Sequence, residues 1–191
     1  MNSRFEYLYK SIICPDLARR QSIKNVYRVP SIETVVLHIH SKYILKDLKE
    51  VRAVYNALAF IVGVEPKLVF AKKSVSQFNV RRGSVVGCKL RLHGRKLFLF
   101  LDYLNSIFFD SFDVEKMSLD LSYESSKAQG NGTFSLGVKN LVKFSHIELH
   151  AFSLKALKGL NIAFSFKHSL GVSLVPFLSR SSLFPINLNN K

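Results

Sequence analysis

Residues 85–92 alternate in character: Val86, Cys88, Leu90 and Leu92 fall on one face, Lys89 and Arg91 on the other. A period of two belongs to an extended chain, so this segment is a strand with one side in a core and the other side charged. The same alternation appears in the β-branched run 32–39 that Pro30 introduces, where Val35, Leu37 and Ile39 share a face. Pro66 opens a short strand over 67–71, and residues 160–166 predict another. Residues 119–138 predict two strands joined by a loop over 124–132, with Asn131-Gly132 as the turn signal.

Three segments carry helical spacing instead. Phe5, Leu8, Tyr9, Ile12 and Ile13 lie on one face of an opening helix whose continuation Pro15 limits. Leu48, Val51, Tyr55, Leu58 and Val62 form the stripe of a second helix over 48–62, and Gly63 stands where a C-terminal cap belongs. After His93 and Gly94, a third helix is marked by Leu97, Phe98, Leu101, Leu104 and Phe108. A weak terminal helix, broken by Pro176, covers 171–181. Strands and helices mix without strict βαβ alternation, which predicts an α+β fold. With 191 residues, 48% hydrophobic, the chain suits one domain with a sizeable core.

Charge narrows the function. Lys and Arg number 28 against 13 Asp and Glu, a net +15. Self-repulsion of that size adds nothing to stability, so a polyanionic partner explains it better than a basic surface kept for solubility. The charge is also clustered. Between Glu65 and Asp102 there is no acid, and that interval holds Lys67, Lys72, Lys73, Arg81, Arg82, Lys89, Arg91, Arg95 and Lys96. Clustered cations release condensed counterions from a nucleic acid over a shared surface. The loop 72–83 adds Ser74, Ser76, Gln77 and Asn79, neutral groups suited to phosphate and sugar. Phe78 on that loop either stacks on an unpaired base or folds back onto the core. A long loop in a compact domain is more often functional than idle.

Catalytic and metal chemistry find no support. Cys14 and Cys88 lack a CxxC spacing, which argues against a disulfide framework or a zinc site. His38 and His40 share a strand face without a third ligand, and His146 and His150 lack the Glu arrangement of a zinc-protease helix. No Walker-type loop, nucleophile elbow or paired carboxylates occur. No apolar run reaches the roughly 18 residues that span a bilayer, and the N-terminal residues resemble neither a signal nor a transit peptide. No cofactor is implied.

The stretch Asn25-Val26-Tyr27-Arg28-Val29-Pro30-Ser31-Ile32-Glu33 resembles the Asn-Val-x-x-Val-Pro-x-Ile-x signature of bacterial-type large-subunit ribosomal protein five. Pro66, Ala71-Lys72-Lys73-Ser74, Phe78, Arg81, Gly83 and Gly87-Cys88-Lys89 recur in that family's order and spacing. Arg95, Phe100-Leu101-Asp102, Gly130-Asn131-Gly132, Leu136-Gly137-Val138-Lys139 and Gly159-Leu160-Asn161-Ile162 extend the match over most of the chain. Residues 106–126 follow the pattern poorly. After Phe166 an acidic, helix-favouring run is replaced by Lys167, His168 and apolar residues.

The resemblance implies a ferredoxin-related two-layer sandwich, an antiparallel sheet with helices packed on one face. It implies a single ribosomal RNA-binding domain over 1–184, with its basic loop at 72–83 and a C-terminal extension at 185–191. It further implies a non-enzymatic place in the central protuberance of the large subunit. Asn25 and Arg28 would contact 5S rRNA where the ribosome contains one, and Lys89, Arg91 and Lys139 would contact rRNA. Lys72, Lys73, Ser74, Gln77, Phe78, Arg81 and Arg82 would face P-site tRNA, and another edge would meet a small-subunit bridge protein. The drift toward Phe, Ser, Asn and Lys, with a mean hydropathy of +0.13, favours a mitochondrial ribosome, with a plastid or bacterial cytoplasm second. The competing classes are an RNA-processing or RNA-modifying enzyme, which needs a base or metal site, a free RNA-binding protein, and a membrane-surface protein, which needs a basic amphipathic helix.

Overall fold

A computed structural model describes residues 3–20, 22–41, 44–45, 47–110, 120–126, 131–138 and 159–167. The chain opens with helix α1 (Arg4–Leu8), a π-helical turn (Tyr9–Ile13) and α2 (Cys14–Arg20). Strand β1 (Ser31–His40) precedes helix α3 (Leu48–Val62), then β2 (Lys67–Phe70) and β3 (Val85–His93). Helix α4 (Gly94–Asp110), β4 (Asp120–Ser126), β5 (Asn131–Val138) and β6 (Leu160–Lys167) follow. The six strands form one antiparallel sheet in the order β2-β3-β1-β6-β5-β4. This is the expected α+β architecture.

One sheet face is apolar because the alternation in each strand is held in register with its neighbours. Leu37 lies opposite Leu90 and Ile162, and Val35 opposite Leu92 and Phe164; all are buried. Leu136 and Val138 continue the row onto β5. Helix α3 packs on β3 and α4 on β1 and β3, so Val54, Leu58, Ile61, Leu97, Leu101 and Leu104 close the core. At Gly87 the strands β1 and β3 approach so closely that a Cβ would stand 2.4 Å from the Ile39 carbonyl oxygen. Only glycine fits there without moving a strand.

The N-terminal helices dock on α4. Phe5, Tyr9 and Phe98 form an aromatic cluster, with Tyr9 and Phe98 ring centroids 5.7 Å apart. Asp102 reaches from α4 to accept the Phe5 N–H at 2.9 Å, satisfying one of the donors that a helix start leaves open. The buried Tyr9 hydroxyl donates to the Pro30 carbonyl and accepts the Ile32 N–H, which pins the entry to β1. Burial pushes its ionisation well above the ordinary phenol range.

Several local expectations need correction. The opening helix does not stop at Pro15 but runs on to Arg20. Pro15 falls directly after the π turn, whose wider winding relieves the ring's clash with the preceding carbonyls. The buried line is Phe5, Tyr9, Ile13 and Leu17, whereas Ile12 is exposed. A strict spacing of four drifts around an α-helix and stays closer to one line across a π turn. In α3 the core takes Val54, Ala57, Leu58 and Ile61; Val51, Tyr55 and Val62 flank it, and Leu48 is exposed. The apolar sector of that helix is broader than one stripe, and packing on β3 selects its centre. Gly63 caps α3 as expected, at φ 67°, its N–H bonded to the Ala59 carbonyl. Asn131 and Gly132 are not a turn: they pair with Ser126 and Ser125 as the first residues of β5. Ladder pairing outranks a local turn preference there, and the connection lies outside the described residues. So do the expected helix over 171–181, the extension at 185–191 and the side chain of Phe108.

Candidate nucleic-acid interface

The loop between β2 and β3 is built as a continuation of the hairpin. The Ala71 N–H donates to the Ser84 carbonyl and the Ala71 carbonyl accepts from Gly83, each at 2.9 Å. Val75 and Val80 form an isolated bridge, and Ser76–Phe78 turn as a 3-10 helix between them. Asn79 takes the left-handed conformation at φ 52°, which Asn tolerates better than most residues. The Ser74 hydroxyl oxygen accepts the Arg82 N–H at 2.9 Å across the tip and keeps its own proton free to donate.

This frame turns its side chains outward. Lys72, Lys73, Gln77, Arg81 and Arg82 are exposed. Phe78 is 71% exposed, which decides between its two readings: it does not fold back onto the core. Ion pairs among the described residues include Lys10–Glu6, Arg20–Asp16 and Lys167–Glu33. Among the described residues, Lys72, Lys73, Arg81, Arg82, Lys89 and Arg91 have no carboxylate partner. The tip therefore offers four cations, two hydroxyl or amide groups and an aromatic ring together.

The sheet face away from the helices continues the positive surface. Register aligns Lys67, Lys89, His38, Asn161 and Gly137 across five strands, with Arg91, Val36, Ala163 and Ser135 in the next row. Asn161 donates its side-chain amide to His38 Nε2 at 3.2 Å, and His40 Nδ1 lies 3.3 Å from the Val86 carbonyl. The His38 and His40 rings meet edge to face, 5.3 Å apart. Burial, then the neighbouring His40, holds the His38 imidazole below the ordinary histidine value of 6.5. It is neutral at pH 7 and accepts from Asn161. Because its folded value is depressed, the unfolded chain takes up this proton first, so its contribution to stability is complete above pH 6.5 and fades as pH falls through the folded value. An NMR titration of the His38 ring is expected to give a midpoint below 6.5, and Asn161→Ala should raise it only slightly, since burial leads. A midpoint above 6.5 contradicts this geometry.

Asn25 and Arg28 form a third group. The Asn25 side chain accepts the Tyr27 N–H at 3.0 Å and caps a 3-10 turn, Val26–Arg28. Arg28 is exposed, and so are Val26 and Tyr27, the latter at 89%. The family signature nominated Asn25 and Arg28 but not the neighbouring Tyr27. This turn feeds the start of β1, whereas the hairpin tip lies beyond its His40 end, so a ten-residue strand of roughly 33 Å separates them. The structure thus brings Lys89 and Arg91 onto the open sheet face between two ends, and it keeps Asn25 and Arg28 apart from the tip. Lys139 lies outside the described residues.

Among the described residues no group of three His, Cys, Asp or Glu is arranged to hold a metal ion, and no described helix is long and apolar enough to cross a membrane.

Comparison with known proteins matches the same segments. The family model described as ribosomal protein L5 fits residues 25–81, which run from the Asn25 turn to the hairpin tip. The large ribosomal subunit protein uL5 of Syntrophotalea carbinolica is 31% identical over 166 residues, covering 85% of this chain and 84% of that protein. The uL5 protein of Wolbachia pipientis is 32% identical over 158 residues, covering 83% and 85%. The protein uL5m of Prototheca wickerhamii is 31% identical over 163 residues, covering 82% of this chain and 68% of its own length. With identity of this order spread across both the sheet and the cationic hairpin, the chain belongs to the ribosomal protein L5 family.

Proposed function

We propose that this protein is built into the central protuberance of the large ribosomal subunit, where its two ends and open sheet face hold different RNAs. Membership in its family makes it a structural, non-enzymatic constituent of the large ribosomal subunit. The finer assignments are those that the family resemblance implies. Asn25 and Arg28 would hold 5S rRNA where one is present, and Lys89, Arg91 and Lys139 large-subunit rRNA. Lys72, Lys73, Ser74, Gln77, Phe78, Arg81 and Arg82 would reach P-site tRNA. Another edge would meet a small-subunit bridge protein. Phosphate contacts from these cations set register and orientation, while stacking and shape supply recognition.

The observation that carries this reading is the hairpin tip, where an exposed Phe78 stands among cations with no carboxylate partner among the described residues. A ribosome of mitochondrial type is favoured by the likeness to uL5m of Prototheca wickerhamii and by the bias toward Phe, Ser, Asn and Lys. A sedimentation experiment tests the whole: the chain is expected to migrate with the large subunit and to stay with it through moderate salt. A soluble free pool at low salt refutes the assignment.

Tyr27 gives a sharper test of the first RNA contact. If its exposed ring stacks on an unpaired base, Tyr27→Ala weakens rRNA affinity by about 1–3 kcal/mol while the salt dependence stays unchanged, because no phosphate contact is lost. Filter binding at several salt concentrations separates these effects. A changed slope with unchanged affinity contradicts the stacking role.

A further inference from the structure

We infer that the outer edge of β2 is a docking strand for an extended peptide of a neighbouring protein, in which apolar and acidic side chains alternate. β2 ends the sheet, and among the described residues no strand pairs with its outer side. Both polar backbone groups of Ala71 turn toward β3. The bulge in the pair inserts Val86 on the β3 side, so the alternation of β2 itself runs on unbroken. Lys67 and Val69 therefore bond inward, and the N–H and C=O groups of Leu68 and Phe70 point outward, spaced as a second strand needs them.

The side chains agree with the backbone. Leu68 lies opposite the buried Cys88, and it shares the helix-side face with Phe70. Helix α3 packs on β3, and Leu68 is 37% and Phe70 55% exposed. Phe60, near the end of α3, is exposed as well. On the opposite face Lys67 stands beside Lys89, and Lys72 and Lys73 follow the strand. Edge strands are usually blunted by charge, proline, bulges or a covering element. Here two outward-bonding residues carry large apolar side chains on the helix side of the sheet, which a strand of alternating character covers while it continues the ladder. Its apolar residues would pack on Leu68 and Phe70, and a carboxylate on its other face would stand opposite Lys67 as a cross-strand pair.

This inference rests on the proposed place in the large subunit, and its test keeps the two apart. Purified large subunits carrying Phe70→p-benzoylphenylalanine are irradiated, and cross-linked peptides are mapped by mass spectrometry. The expected product joins position 70 to a ribosomal protein segment of alternating acidic and apolar residues. Amide exchange at Leu68 and Phe70 should also slow by about tenfold or more in the subunit relative to the free chain. Phe70→Pro removes one outward N–H while sparing the bonds to β3, so the free protein keeps its melting temperature and the protection at Leu68 is lost. A cross-link to rRNA, no cross-link, or exchange as fast as in the free chain overturns the docking strand alone. Absence of the chain from the subunits overturns this inference together with the proposed function.

Discussion

Reversing two charges at the hairpin tip, Lys72→Glu together with Arg82→Glu, is expected to lower P-site tRNA affinity by roughly a hundredfold while subunits still assemble. Each position stands to lose a contact to a charged group, worth about 1.5–3 kcal/mol when made, and every 1.4 kcal/mol is about tenfold in affinity. Both side chains are exposed and lack a carboxylate partner among the described residues, so no ion pair described there is broken in the exchange. The tip itself is held by backbone bonds and by the Ser74 hydroxyl, which bonds the Arg82 N–H rather than its guanidinium. Its shape therefore survives the substitution. Salt dependence adds a second readout: the slope of log affinity against log salt should fall by about two, one for each lost phosphate contact. Failure of assembly before any loss of tRNA binding would move the tip to an rRNA role.

The largest effect on stability is expected from Phe164→Ala. Phe164 lies on β6 opposite Val35 of β1 and Phe134 of β5, and its ring is among the largest fully buried side chains. Removing it leaves a cavity where neighbouring strands cannot close without breaking register, so the loss should be about 3–5 kcal/mol. Domains of this kind hold only about 5–15 kcal/mol in total. The urea midpoint of the free protein should drop accordingly, and Phe164→Leu should recover most of it. A loss below about 1 kcal/mol would mean that the inner sheet face is not the core. Affinity for RNA, measured where the variant is still folded, should stay near that of the parent, because the open face carries none of this ring.

Local readings succeeded where the physics is local. The strand at Val85–His93 and the helix ending at Gly63 were legible because alternation, helical spacing and a left-handed cap act over a few residues. Reading went astray where a partner intervened. Pro15 is a helix breaker by itself, yet a π turn accommodates it once Tyr9 and Ile13 are buried. Asn131-Gly132 favours a turn, yet cross-strand bonds to Ser126 and Ser125 absorb it. Tyr27 was missed because exposure is a property of surroundings, which composition does not record.

The amino-acid order alone determined that strands would carry one apolar and one basic face, and that the basic charge would concentrate between Glu65 and Asp102. It also determined the family signature on which the RNA-binding reading rests. Only the tertiary structure decided the strand order, and hence that His38 would meet Asn161 across 123 positions with Lys89 on its other side. The physical reason is that side-chain periodicity specifies which way a strand faces, whereas partner and register come from the joint burial of Leu37, Leu90 and Ile162, a condition no single segment contains.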